Sequence, residues 1–400
     1  MTSPAPTPPR SPVRRSWRRR LAYRLLIALL LGVGVEAGLR AAVAFKLGPS
    51  VLAYGTPLAK QALQPTKMAE RPWHEQIALA EKNQKQVGGG DAGYLKYHPH
   101  QKKDGFDQHG VQYQVGINGQ GFRGAEFGAK RAGVVRVVAL GASSTFGYHD
   151  RDDETWPVYL EQQLNARLAQ EPQPGITAYE VLNLGIPHLN AANIVALFVA
   201  EALPLEPDVV VFYEGVNETR RLEPSGPEQW LHTLSKRLVA GQLVYQVATP
   251  WFASFDAEDL AAARVGKVEQ FLHQLEQLRG HCRERSIRLI VTAQQAQSET
   301  LARERLAEVT YAQEVAQVEA RLAQGTSLSL RELQFLLHAE LMEAQRQWAQ
   351  SNGVEYADGI AALDRAGERD QLLSWVHLAP EGNRALAAEV AQVVWSGQGR

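Results

Sequence analysis

The sequence predicts an α/β fold: a five-stranded parallel sheet between two layers of helices, a three-layer α/β/α sandwich. Three observations point there. From about residue 112 onward, valine-rich apolar runs alternate with amphipathic helical stretches. That alternation makes βαβ units, whose parallel strands are covered on both faces. Several of the apolar runs stop abruptly in small and polar residues, as strands do at the carboxyl edge of such a sheet. The composition, 45% hydrophobic and 21% charged, is ordinary for a folded chain.

The elements follow in order. Residues 1–24 carry Arg10, Arg14, Arg15, Arg18, Arg19, Arg20 and Arg24, no acid, and repeated prolines. They read as a basic, extended arm. Residues 25–45, "LLIALLLGVGVEAGLRAAVAF", have about the roughly 20 residues a helix needs to cross a bilayer. Glu36 and Arg40 interrupt the run at i, i+4 spacing and can pair on one helical face. An uncleaved signal anchor, a cleaved signal peptide ending near Ala42-Val43-Ala44, and an amphipathic soluble helix are the three readings of this segment. The signal anchor is preferred: N-terminus cytoplasmic, body periplasmic or extracellular. A basic arm can also bind nucleic acid, but its place directly before the apolar run favours a topology signal. A net charge of −1 gives no global attraction to nucleic acid.

Residues 46–115 read as a membrane-proximal linker with a short helical stretch, "MAERPWHEQIALAEKNQKQ". His98 and His100 form an H-x-H pair with no third ligand nearby, which reads as a solvated loop. The α/β domain spans residues 116–400. Its strands are expected at 134–140, 178–185, 207–215, 287–293 and 353–359, and its helices at 155–170, 190–203 and 380–395. Pro157 suits a first helical turn. Helical insertions are expected at about 225–283 and 297–350. The apolar stripes of the second fit a packed helical hairpin better than a coiled-coil dimer. The single cysteine, Cys282, excludes an intrachain disulfide and a cysteine-based zinc site.

Ligands of an open parallel sheet bind outside the carboxyl ends of its strands. There the sequence puts Gly141-Ala142-Ser143-Ser144-Thr145-Phe146-Gly147, then Asn183 to His188, then Glu214-Gly215-Val216-Asn217-Glu218, and finally Ser374-Trp375-Val376-His377. A hydroxyl, an amide, a histidine and tight glycine turns are what acyl transfer needs: a nucleophile, a base and donors for an oxyanion. Each alone has a plainer reading, as helix cap, Asx turn or backbone-bonded histidine.

The blocks "GASSTFG", "NLGIPH", "GVNE" and "VHLAPEGN" resemble those of the SGNH or GDSL hydrolase family. "INGQGFRGAEFGAK" is similar to the stretch before the nucleophile block in membrane-anchored bacterial members. The resemblance implies a flavodoxin-like fold and a serine esterase that hydrolyses a carboxylic ester, such as an O-acetyl group, through an acyl-serine intermediate. It implies Ser143 as nucleophile, Asn217 and the Ser143 backbone N–H as oxyanion donors, and His377 as general base.

Three positions depart from the family pattern. Ala142 stands where aspartate often precedes the nucleophile. His188 stands at an oxyanion position usually held by glycine; its backbone N–H is still available there, and its imidazole could restrict the acyl pocket or act as a second polar contact. Ser374 stands three residues before the histidine, where the family has its triad aspartate. A serine can orient His377 but cannot offset imidazolium charge as a carboxylate does. Asp358 and Asp370 are the nearby acids; Asp358 ends the fifth strand and could reach the rim, and a Ser–His dyad is equally open.

Glu214, Glu218, Arg220 and Arg221 could contact a polar or anionic substrate such as a glycan, or form a solvated cluster. His149, Asp150, Asp152 and Asp153 match no strong metal pattern. No metal or organic cofactor is implied. The partners expected are an ester-bearing small molecule or glycan and, through the N-terminal helix, a membrane. Two other functions remain open: an O-acyltransferase acting on an extracellular polysaccharide, and a catalytically weak glycan-binding or assembly protein.

Overall fold

The computed structural model describes residues 16–47, 84–88, 93–106, 111–220, 230–231, 233–234, 238–241, 243–244, 254–367 and 369–397. The chain divides into two compact units, Met1–His74 with Pro224–Phe252, and Glu75–Glu223 with Ala253–Arg400.

In the first unit the helix α1 (Ser16–Leu47) holds an apolar window, Leu21–Ala42, of mean hydropathy 1.9, long enough to cross a membrane. Glu36 and Arg40 pair at 2.7 Å. The Glu36 carboxylate also accepts the amide N–H groups of Val239 (2.9 Å) and Ala240 (3.0 Å). The charge inside the apolar run is therefore answered by a cation and two backbone donors.

The second unit begins with two antiparallel pairs, β1 (Gln84–Val87) with β2 (Tyr94–Tyr97), and β3 (Lys102–Phe106) with β4 (Gln112–Gly116). The expected linker is thus folded in this part. Gln84–Gln86, the end of the expected helical stretch, belongs to strand β1, and the rest of that stretch lies outside the described residues. Tyr97, Val115 and Ile117 bury themselves against Phe146, which gives these strands a reason to order.

The main sheet is built from β5 (Val134–Gly141), β6 (Ala178–Asn183), β7 (Val209–Tyr213), β8 (Arg288–Thr292) and β9 (Glu355–Ala357). All pairs are parallel, in the order β6-β5-β7-β8-β9. Alternate residues of β5 serve opposite faces, as the two-residue period of a strand requires. Val137 and Ala139 join one core with Trp156, Leu160 and Leu164 of α3 (Trp156–Gln170) and Leu386 and Val390 of the C-terminal helix Pro380–Ser396. Val138 and Leu140 join the other with Ile194 and Leu197 of α4 (Ala191–Leu197), and with helix residues Phe271, Leu275, Leu278 and Leu341. The result is the three-layer sandwich expected. The stretch expected as one helix over 190–203 is α4 followed by a π turn, Phe198–Ala202, and a 3₁₀ turn, Leu203–Leu205, where Pro204 removes a helical donor.

The expected insertions are redistributed. Pro224–Phe252 goes with the α1 unit. After α5 (Ala257–Arg264), α6 (Lys267–Glu284) is the crossover helix that returns the chain from β7 to β8, so it is part of the sheet fold and not an insertion. Between β8 and β9 stand α7 (Tyr311–Ala323) and α8 (Leu330–Asn352), each opened by a capping box. They share a core of Tyr311, Val318, Leu333, Phe335 and Leu336. The remaining helices are α9 (Gly359–Ala366) and α10 (Pro380–Ser396).

Candidate functional site

The chain goes from β5 to β6 on one side and then returns across β5 to β7. The winding reverses between β5 and β7, where open sheets leave a crevice at their carboxyl edge. Ser143 follows β5 there, and Asn217 follows β7.

Ser143 opens α2 (Ser143–Phe146), a single helical turn closed by Gly147 at φ +78°. Gly141 leaves no room for a side chain: a Cβ would lie 2.5 Å from the Tyr213 carbonyl oxygen and collide with the Thr145 side chain. Two contacts hold the turn from outside. Asn183 Nδ2 donates to the Thr145 carbonyl (2.9 Å) while its Oδ1 accepts the Gly185 N–H (3.0 Å). Arg123 donates to the carbonyls of Phe146 (2.9 Å), Gly147 and Asp150 (2.5 Å), and pairs with Asp152 at 2.9 Å. Arg123 lies in the stretch that precedes the nucleophile block, and its side chain is almost wholly buried.

His377 sits on a loop closed by an antiparallel bridge between Leu372 and Leu378. Its Nε2 is 2.9 Å from Ser143 Oγ, and its Nδ1 is 2.8 Å from Ser374 Oγ. Ser374 Oγ also accepts the His377 N–H (3.2 Å) and, at a marginal 3.4 Å, the Val376 N–H. Serine, imidazole and serine therefore form one continuous array. Tyr148 stacks on the imidazole with ring centres 5.6 Å apart, and His149 meets it edge-on at 5.2 Å. The sequence reading left Tyr148 and His149 unassigned to the site.

Asp358 is not part of the array. Its Oδ1 accepts the Ala361 N–H at 2.9 Å, as the N-cap of α9, so the short fifth strand feeds a helix start and not a triad acid. Asp370 lies in a 3₁₀ turn, where its Oδ1 accepts from Gln371 Nε2 at 3.2 Å. The Nδ1 position facing both acids in the sequence reading is taken by the Ser374 hydroxyl.

Asn217 is buried. Its Nδ2 donates one N–H to the Leu189 carbonyl (2.7 Å), which leaves a second N–H on the same nitrogen. Glu214, also buried, accepts the Asn217 backbone N–H at 2.8 Å, and Glu218 accepts the Ala191 N–H at 2.5 Å, at the start of α4. Both carboxylates thus brace the loop that carries Asn217. Arg221 lies outside the described residues.

His188 has φ +72°, a conformation that glycine adopts without steric cost, and this accounts for the glycine usual at that position. Its side chain is exposed.

The buried run after β8 was missed because glutamines carry no motif. Gln294 Oε1 accepts the Val216 N–H (2.9 Å) and its Nε2 donates to Ser144 Oγ (3.3 Å). Gln297 donates from Nε2 to the Ser374 carbonyl (3.0 Å) and from its backbone N–H to the Trp375 carbonyl (2.9 Å). One segment thus braces the Asn217 loop, the Ser143 turn and the His377 loop together. Among the described residues no cluster of three or more His, Cys, Asp or Glu could hold a metal. His100, of the H-x-H pair, lies 3.3 Å from Glu126 on the surface.

The model of the GDSL-like Lipase/Acylhydrolase family matches residues 139–385, more than half of the chain. No curated protein matches. Solved structures similar to the chain include a member of the lipolytic protein G-D-S-L family from Veillonella parvula, 11% identical over 65% of this chain and 97% of that one, with TM-score 0.37. A lipase/acylhydrolase from Enterococcus faecalis is 16% identical over 66% and 96%, with TM-score 0.37. An aryl esterase of M. smegmatis is 14% identical over 66% and 99%, with TM-score 0.39. At such scores the structural likeness carries no argument; the sheet order, the ordered blocks at its carboxyl edge and the family match do. On these grounds the chain belongs to the GDSL-like lipase/acylhydrolase family of ester hydrolases.

Proposed function

We propose that the chain hydrolyses a carboxylic ester through an acyl-Ser143 intermediate. The observation that carries this is the 2.9 Å approach of His377 Nε2 to Ser143 Oγ. At that distance the imidazole can take the hydroxyl proton as Oγ bonds the carbonyl carbon. The charge that develops on the carbonyl oxygen would meet the Ser143 N–H and the second N–H of Asn217. His377 then returns the proton to the departing alcohol oxygen as the C–O bond breaks. Water repeats the cycle on the acyl-enzyme: His377 takes its proton, hydroxide attacks, and Ser143 leaves with the proton restored.

The substrate we propose is an O-acyl group, acetyl in the simplest case, on an extracellular polysaccharide. Its support is the apolar helix that follows a basic arm, which would hold the body of the protein outside the cytoplasm. Fluorophosphonate labelling of the full chain in detergent, with Ser143→Ala and His377→Ala, tests the reading. Labelling at Ser143 that depends on His377 supports it, and well-folded protein that takes no label sinks it.

A further inference from the structure

Lys103, on β3, sits over three aromatic rings. Its Nζ lies 5.6 Å from the ring centre of Tyr97, 5.1 Å from that of Phe146 and 4.9 Å from that of Tyr148. Tyr97 and Phe146 stack on each other, so two walls of this cage are rigid. The Nζ has one hydrogen-bond partner among the described residues, the Tyr97 hydroxyl at 3.3 Å, and no carboxylate there pairs with it. Aromatic faces attract a cation but satisfy none of its N–H groups. Arg123, the next cation, also lies against Phe146, but its donors are committed to Asp152 and three carbonyls. Lys103 is thus a half-buried ammonium with donors to spare.

Its position relative to the array gives it a direction. His377 hands its proton to the leaving alcohol, so the alcohol part of a bound ester lies along the imidazole. Tyr148 stacks on that imidazole, and Lys103 Nζ lies 4.9 Å from the centre of the same Tyr148 ring. Phe146, one of the two stacked walls, belongs to the same helical turn as Ser143.

We infer that Lys103 forms a subsite for an anionic group, a carboxylate or phosphate, on the alcohol part of the ester held at Ser143. An anion there would gain charge-assisted hydrogen bonds from donors that have no acceptor among the described residues. Burial, and then the nearby Arg123 charge, push the Lys103 ammonium down to about 8, so it remains cationic at neutral pH and an anion would relieve it. The inference rests on the esterase reading of Ser143 and names its substrate class: an acidic alcohol, such as an acidic sugar.

The test is a matched pair of acetate esters, 4-acetoxybenzoate and its methyl ester, given to the full chain in detergent micelles. They share the acyl group and differ in the charge on the alcohol part. In Lys103→Met the ratio of kcat/KM, anionic over neutral, should fall about tenfold, chiefly through the KM of the anionic ester. Lys103→Arg should keep part of the preference. An unchanged ratio, or an equal fall for both esters, overturns the subsite. If neither ester is turned over, the esterase reading fails by itself, and calorimetry with 4-hydroxybenzoate still decides the subsite. Tighter binding to the wild type than to Lys103→Met supports it; equal or absent binding overturns it.

Discussion

Ser374 Oγ stands 2.8 Å from His377 Nδ1 and accepts the amide N–H of His377 at 3.2 Å. A carboxylate at Nδ1 can only accept, and so it fixes the tautomer that leaves Nε2 free to take a proton. A hydroxyl can accept or donate. When it donates, Nδ1 is the acceptor, Nε2 carries the proton, and the base faces Ser143 in the wrong form. Ser374→Asp should therefore raise kcat/KM on a neutral acetate ester by at least about tenfold. It should also shift the acid limb of the pH profile, while Ser374→Ala lowers the rate. A rate that falls with aspartate would show that the loop needs the small hydroxyl more than the base needs a charge.

Gly141 is closely enclosed by its neighbours. The Cβ of alanine there would need the Tyr213 carbonyl or the Thr145 side chain to move. Both belong to buried elements of the sheet edge, where overpacking costs about 1–3 kcal/mol. Gly141→Ala should lower stability by that amount in urea denaturation, and displace the turn that begins at Ser143, so activity should fall further than stability alone explains.

The legibility of this chain follows from which signals are local. Strand runs such as Val134–Gly141, buried on both faces, announce themselves by composition, and the core lies where their alternation puts it. Ser143 and Asn217 were legible because small-residue turns mark the ends of strands β5 and β7, whereas His377, in a loop twenty residues past β9, was legible only through the resemblance of its block. Lys103 and Arg123 were not. Their meaning depends on β3 and on the stretch after β4 packing against the Ser143 turn, a contact that periodicity in residues 46–115 does not encode. Gln294 and Gln297 were invisible for another reason: a buried glutamine is defined by its partners, not by its neighbours in sequence. Asp358 misled because the end of a strand and the cap of a helix call for the same residue.

Asp150 supplies a pH dependence with a definite sign. Burial pushes its carboxyl up to about 7, against the opposing pull of Arg123 and of a hydrogen bond with Asn383, and Glu154 and Glu381 add to the rise. The unfolded chain ionises this residue near 3.9. Between about pH 4 and 7 the folded protein holds a proton that the unfolded chain has lost, so this group's contribution to stability declines as pH rises. It is fully present below about pH 4 and gone above about pH 7. Asp150→Asn should flatten that part of the Tm profile, and a wild type and variant with parallel profiles would refute the shift.

Leu21–Ala42 leads to a prediction about location. A helix of this length and hydropathy, with Glu36 answered inside its own unit, should stay in the bilayer. The full chain should sediment with membranes and resist extraction by alkaline carbonate. Protease added to intact spheroplasts should digest the body while sparing the basic arm; the reverse pattern would invert the topology we propose.

The loop that carries Ser374 and His377 is anchored at its start by a buried ion pair. Arg369 Nη2 meets Glu314 Oε2 of α7 at 2.5 Å, and both side chains are 1% exposed. Glu314 Oε1 accepts the Ser298 N–H (2.8 Å) and hydroxyl (2.6 Å), and Arg369 Nη1 donates to the Val309 carbonyl (3.0 Å). Removing one partner strands the other charge away from water, which costs about 3–5 kcal/mol. In Glu314→Ala the Arg369 guanidinium keeps Asp364, 3.5 Å from its Nε, so the loss should fall near the lower end, about 3 kcal/mol. Replacing both, Glu314→Leu with Arg369→Met, removes the pair without leaving a charge and should recover most of that stability in urea denaturation. Activity should not return with it. The packing of α7 would be restored, but the directed bonds from Arg369 that set the path of the loop toward His377 would still be missing. A double variant as active as the wild type would show that the pair serves folding alone.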